Sequence, residues 1–366
     1  TGGEAEELRR AFGFKRSERR MKEVEIKLRH GMEKNGILGD VQDQIIHSIT
    51  SFALYGFPES HAASFALIAY ASAYLKCHYL AAFTAAMLNN QPMGFYSPAT
   101  LVKDAQRHGL KIKPIDVTKS DWLCTLERDD LRLGMRYIKG MRQSSAHAIV
   151  RERASAPFTS LDNLACRVPE LQKRELVLLA EVGALNFLSP EHRIHRRDAL
   201  WQVERACRRT GPLLEKIEEP DRSSPLEIMT SEERLVADFH GTGLTVGPHP
   251  MAYYRDELSA KGVLRAIDLA NIRNGTGVCI AGAVIARQRP GTAKGFVFLS
   301  LEDETGISNA IITPDIFEQN RFTIAEGRFL LIEGRLQNLD NVISVKAASV
   351  EVLLVSEAEV TSHDFH

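Results

Sequence analysis

The sequence predicts a multidomain α+β protein, mostly helical over its first two thirds and followed by a five-stranded OB-fold barrel. Three observations predict it. Capping residues stand before amphipathic or alanine-rich runs throughout the first 90 positions. Glycine-containing turns at Gly140 and Gly183 interrupt a helical pattern over 138–188, in the manner of two successive helix-hairpin-helix motifs. After Gly275 the apolar period shortens to two, in five runs with a short helix between the third and fourth, which is the element order of an OB barrel.

Taken in order, 4–12 reads as a short helix, and Ser17 caps a charged helix ending near Gly36. Asp40 caps the next, which runs to about Tyr55, and Ser60 caps a long alanine-rich helix reaching Asn89. Pro92, Gly94 and Pro98 make 90–97 a loop, after which a helix ends at Gly109. An extended segment over 111–117 precedes a small hairpin, 124–127 and 131–135, turning at Arg128-Asp129-Asp130. The stretch 211–225 is rich in Pro, Gly, Ser and charge and reads as a linker. Helix returns at 231–239 and 251–261, and the strands are 278–287, 295–302, 308–312, 328–336 and 342–354, with the short helix near 314–320.

A length of 366 residues suggests two or three domains, and 44% hydrophobic with 25% charged residues is the balance of a globular chain that can bury a core. The best apolar run is interrupted by Lys76 and His78, which excludes a membrane helix. Cys77, Cys124, Cys166, Cys207 and Cys279 are scattered without a C-x-x-C pair, so neither a zinc ribbon nor a disulfide framework is expected, and a reducing cytoplasm fits. His192 and His195, in the run HRIHRR, lack further ligands and read as surface histidines. The net charge is −1, with basic residues gathered over 9–29 and 193–209 and acidic ones in the last third, so contact with a polyanion is expected in the first two thirds. The chain starts at Thr1 without methionine or signal pattern, the expectation being a fragment of a longer protein.

The segment from Tyr55 to Tyr70 leads from a Gly-Pro turn into a helix opening with Glu59-Ser60-His61. A helix start carries unpaired N–H groups and the positive end of the dipole, and Ser60 and His61 add donors suited to phosphate; an ordinary capped core helix has the same pattern. The longer run YGFPESHAASFALIAYASAYLKCHYLAAFTAAMLNNQPMGFYSPATLVKDAQRHG resembles the fingers region of the bacterial DNA polymerase III alpha subunit family, and 91–109 is most similar to its error-prone, ImuC-type branch. By that resemblance, which covers the whole chain, Arg9, Arg10, Lys15, Tyr55, Ser60 and His61 face an incoming nucleotide, with Glu59 standing where the family's usual basic residue precedes the Ser-His pair.

In Tyr137-Ile138-Lys139-Gly140-Met141-Arg142-Gln143 the glycine lets backbone amides approach a phosphate, and Lys139 and Arg142 add charge, making Lys139, Gly140, Met141 and Arg142 candidate DNA contacts; a simple helix-helix turn fits the spacing equally. The weaker copy at Val182-Gly183-Ala184 has no cation on its turn. In the barrel, alternation from Phe296 to Glu302 sends Val297, Leu299 and Leu301 inward and Phe296 and Phe298 to the other face, where aromatics can stack bases or cover a neighbouring domain. Arg287, Arg289 and Lys294 in the preceding loop supply charge for a single strand.

No Asp-x-Asp stands on a hydrophobic strand; Asp129-Asp130 and Glu302-Asp303-Glu304 read as turn and surface chemistry, so no metal site is expected in this chain. The resemblance implies metal-binding aspartates of a palm upstream of residue 1, Mg²⁺ in the intact enzyme, and no polymerisation by this chain alone. It implies primer-template and single-stranded DNA and deoxynucleoside triphosphate as ligands. Residues 210–215 lack the glutamine and the aromatic of the family's clamp-binding peptide, so sliding-clamp contact is expected indirectly, through a mutasome partner such as ImuB. The domains are then 1–95 fingers, 96–210 tandem hairpins, 211–274 linker and helical connection, and 275–366 barrel and tail. The function expected is part of an error-prone, translesion DNA polymerase; the alternative is a non-enzymatic DNA-binding or scaffolding module of a repair complex.

Overall fold

Asn35 and Gly36 turn the chain between two helices, α1 (Glu18–Lys34) and α2 (Asp40–Tyr55). A computed structural model of the chain describes residues 18–55, 59–92, 94, 96–188, 194–206, 224–291, 293–339, 342–353, 355 and 363–365, so the helix expected over 4–12 and most of the linker expected over 211–225 lie outside them. The chain divides into two units, residues 1–77 and 78–366.

In the first unit Met32 of α1 and Ile46 of α2 are buried, and Gln42 Nε2 donates to the Arg29 carbonyl at 3.0 Å. Asp40 opens α2 rather than capping it, because the Gly39 carbonyl already accepts the Asp43 N–H; an acid in a first turn favours the helix through the dipole instead. Helix α3 spans Glu59–His78, so Ser60 lies inside the first turn and is not the cap. The single helix expected from Ser60 to Asn89 is two: Tyr79, at φ −135° and ψ 45°, breaks it before α4 (Leu80–Asn89). Alanine-rich composition runs through the break, which is why periodicity alone did not reveal it.

The second unit holds α4 and α5 (Pro98–Arg107), whose Ser97 cap accepts from Thr100 N at 3.2 Å with Pro98 in the first turn. A three-stranded sheet follows, β1 (Ile112–Lys113), β2 (Thr125–Glu127) and β3 (Asp130–Arg132), with β2 and β3 forming the expected hairpin around Arg128 and β1 parallel to β3. Then come α6 (Gln143–Ser155), α7 (Leu161–Arg167), α8 (Lys173–Glu181) and α9 (Arg196–Ala206). Their core contains Leu131, Met135, Ile138, Ile149, Leu164, Leu179 and Leu185, each sealed from solvent; burying one such side chain contributes about 2 kcal/mol. Helix α9 was hidden by its basic residues, although Ala199 and Val203, four apart, give it one buried stripe.

Helix α10 (Ser231–Thr242) is held at its start by a Thr230–Glu233 capping box. The helix expected over 251–261 begins as a 3₁₀ turn, Pro250–Tyr254, before α11 (Arg255–Ala260). After β4 (Val263–Leu264) comes the barrel: β5 (Gly277–Gln288), β6 (Val297–Glu302), β7 (Ile307–Ile312), α12 (Pro314–Gln319), α13 (Arg321–Glu326), β8 (Phe329–Leu339) and β9 (Val342–Val352). The order β5-β6-β7-β9-β8 closes through β8 onto β5, with β7 and β9 parallel, which is OB topology. Gly282 lets β5 pass close to the end of β6, since a Cβ there would lie 2.7 Å from the Glu302 carbonyl. A last strand, β10 (His363–Phe365), runs parallel to β5 and was not foreseen.

Candidate nucleic-acid interface

The first hairpin turns outward. Ile138 and Met141 anchor it in the core, while Lys139, Gly140, Arg142, Gln143 and Ser144 are exposed. Gly140 has φ 87°, a left-handed conformation that costs L side chains about 1 kcal/mol or more and lets the backbone turn sharply into α6. Arg142 occupies the N-cap position of α6, and its own side chain makes no cap hydrogen bond. Exposed amides at a helix start, next to a glycine turn, suit an anion such as phosphate.

The two cations of this hairpin are not projecting freely. Lys139 donates its backbone N–H to the Gly241 carbonyl at 2.8 Å and its Nζ to the Phe239 carbonyl at 3.0 Å, thereby serving the C-terminal end of α10. Arg142 turns inward onto Glu175, its Nη2 2.6 Å from Oε2 and its Nε 3.1 Å from Oε1. Glu175, on α8, is 2% exposed and also accepts from Arg142 N, Ser145 Oγ and Gln172 N, each at 3.0 Å. Burial would push its carboxyl up, but the Arg142 guanidinium and the Gln172 and Arg142 amides hold it down to about 2. Sequence reasoning missed Glu175; Gln172-x-x-Glu175, a capping-box spacing, was the available signal. The second turn, at Gly183, is buried along with Val182, Ala184 and Leu185, and packs against Arg196, so it presents no surface to a backbone.

On the barrel, Val297, Leu299 and Leu301 point into the core and Phe298 is 38% exposed, as the alternation requires, with Phe296 half-buried. Lys294 is exposed. Arg287 instead bonds the carbonyls of Ile324 (2.7 Å) and Gly327 at the end of α13, and Arg289 lies over the Phe317 ring at 4.3 Å. In the first unit His61 is exposed, with its ring 4.5 Å from that of Phe65. Tyr55 and Ser60 belong to helices whose side chains there lie outside the described set, as do Arg9, Arg10 and Lys15 altogether. The same holds for His192, while His195 is exposed beside α9.

The triplet Glu302-Asp303-Glu304 corrects the surface reading. Glu302 and Asp303 are each 3% exposed, because the end of β6 is covered by α5 and by the segment around His249. Arg107 reaches Glu302 at 2.6 Å and Arg255 reaches Glu304 at 2.5 Å. Asp303 accepts from Ala266 N at 2.7 Å. His249, buried, has Nε2 3.9 Å from Glu302 and accepts the Met251 N–H at Nδ1. Burial, and then the nearby cations Lys103, Arg107 and Arg255, drive its pKa down to about 3. Charge that local sequence assigns to water is here shared between helix and barrel. Among the described residues no group of three His, Cys, Asp or Glu is placed to hold a metal ion, and no helix is long and apolar enough to cross a membrane.

Comparison with known proteins fits this geometry. Residues 109–197 match the helix-hairpin-helix motif family and residues 278–353 the OB-fold nucleic acid binding domain family. Among similar proteins, an error-prone DNA polymerase of Azoarcus sp. (strain BH72) is 42% identical over 378 residues, covering 100% of this chain and 35% of that protein. One from Anaeromyxobacter sp. (strain K) is 41% identical, covering 100% and 33%. Error-prone DNA polymerase 2 of Agrobacterium fabrum is 41% identical, covering 95% and 33%. The chain thus spans about a third of the length of the relatives it matches. With that identity running end to end, and with hairpin region and barrel in the expected order, the whole of this chain is similar to about a third of these error-prone DNA polymerases.

Proposed function

We propose that this chain is the DNA-holding section of an error-prone, DNA-directed DNA polymerase that copies damaged template. The observation that carries the reading is the outward hairpin at Gly140, leading into the exposed start of α6, in the same unit as a nucleic-acid-binding type of barrel. In the whole polymerase, residues 96–210 hold the backbone of duplex behind the active site through the turn Lys139-Gly140-Met141-Arg142 and the exposed start of α6. The barrel, over 275–366, meets single-stranded template through Phe296 and Phe298, with Arg287, Arg289 and Lys294 beside them. Residues 1–95 are fingers that present Arg9, Arg10, Lys15, Tyr55, Ser60 and His61 to a deoxynucleoside triphosphate, and 211–274 connect hairpins to barrel.

Mg²⁺ supplies Lewis-acid chemistry to such polymerases, and carboxylates outside this chain hold it in this reading. The polymerase works in the cytoplasm with a mutasome partner of the ImuB kind, and meets the sliding clamp through that partner. Duplex binding tests the proposal. The chain should bind a short duplex with an affinity that falls as salt rises, and Gly140→Val should weaken it at least about tenfold by straining the turn. An unchanged affinity in G140V would remove the hairpin from the interface. For the fingers, His61→Ala in the full-length polymerase should raise the apparent KM for triphosphate, and an unaltered KM would exclude that role.

A further inference from the structure

We propose that Glu175 is the positioning residue of the first hairpin, and that Arg142 acts on DNA through it and not as a phosphate contact. The proposal rests on the hairpin reading above and states how that site is held. Five donors converge on one carboxylate: Arg142 N, Nε and Nη2, Ser145 Oγ and Gln172 N. The first of these fixes the N-cap of α6 by its backbone, and Ser145 fixes the same turn three residues on. Gln172 N fixes the entry of α8, the helix that leads into the second turn. One buried acid therefore ties both helix starts together.

What this leaves outward is decided by the same bonds. The Arg142 guanidinium, although its side chain is 45% exposed, is matched by the carboxylate and by the Glu170 carbonyl at 2.6 Å. The Lys139 ammonium is engaged at the Phe239 carbonyl. The groups that face solvent without such a partner role are the backbone of Gly140 and the opening residues of α6, Gln143 and Ser144. Neutral amides hydrogen-bond phosphate without neutralising its charge and so without releasing a counterion, whereas a free guanidinium on a phosphate releases about 0.9. Arg142 should therefore matter for affinity and not for salt dependence.

The experiment measures binding of a fluorescent duplex by the full chain across a salt series, for wild type, Arg142→Ala, Arg142→Lys and Glu175→Gln. The expected result is about a threefold or greater rise in Kd for R142A with an unchanged slope of log Kd against log salt. R142K, which keeps the charge but loses the paired fork, should behave as R142A does. E175Q should weaken binding to a similar degree, and E175Q/R142A should be no weaker than R142A alone. A fall of about 0.9 in the slope for R142A overturns the proposal, since it marks a direct phosphate contact. Full affinity in R142K, or tighter binding by E175Q, overturns it as well. Because the R142 variants alter an exposed side chain, they decide the matter even if E175Q does not fold. Wild type without measurable duplex affinity would defeat the hairpin reading itself, and is distinguishable from a bound wild type whose variants change slope.

Discussion

Glu175 is the residue on which the hairpin region depends most. A buried carboxylate with its partners intact is stable, but one whose donors are removed, or donors whose carboxylate is removed, are left unsatisfied at a cost of about 3 kcal/mol. Glu175→Ala should accordingly lower unfolding free energy by about 3 kcal/mol in urea titrations, and Glu175→Gln by less. The pH dependence follows from the depressed pKa of about 2. An acid depressed below its unfolded value of about 4.3 contributes fully above that pH and loses its contribution as pH falls toward 2. Wild type should therefore lose stability between those limits more steeply than E175Q, as followed by acid titration of circular dichroism. Lys139 is a smaller case: its Nζ serves the C-terminal carbonyls of α10, so Lys139→Ala should cost about 0.5–1 kcal/mol before any effect on DNA.

At the scale of elements, glycines decide where backbones meet. A Cβ at Gly282 would sit 2.7 Å from the Glu302 carbonyl, on the neighbouring strand, with no flexible side chain to yield. Gly282→Ala should thus destabilise the barrel by about 1–3 kcal/mol, lowering its thermal midpoint. Phe298 offers the opposite expectation. Its side chain is partly exposed and lies off the core face, so Phe298→Ala should leave the melting temperature nearly unchanged. If the barrel stacks bases, the same variant should weaken oligo-dT binding by about 1–3 kcal/mol. Helix α3 presents apolar residues around much of its circumference, Phe65, Leu67, Ile68 and Tyr70 all being more than half exposed.

For the whole second unit, the charged junction of Arg107, Glu302, His249 and Arg255 joins helix to barrel through ion pairs. His249 has its pKa lowered to about 3, so the unfolded chain binds a proton that the folded chain refuses. Stability should then fall as pH drops from about 6.5 toward 3, and His249→Gln should flatten that portion of the profile. Glu302, whose carboxyl is raised by burial, and Lys103, lowered to about 8 by burial, face the same junction and move in their own ranges. Arg107→Ala should destabilise barrel and hairpin region in one transition, seen by calorimetry as a single lowered midpoint, because it strips the partner from a buried acid.

The sequence by itself determined the class of fold, the barrel's strands and the two turn glycines, because each is written in neighbouring residues, whereas the caps expected at Asp40 and Ser60 lie inside their helices. It also determined which turn carries cations. The break at Tyr79, the buried state of Glu302 and Asp303, and the inward turn of Arg142 were decided only by tertiary structure. The last two depend on partners distant in the chain: Glu302 meets Arg107 195 residues away, and Arg142 meets Glu175 33 away. Local composition counts charges and assigns them to solvent; only packing of remote segments removes the water and leaves one charge to satisfy another.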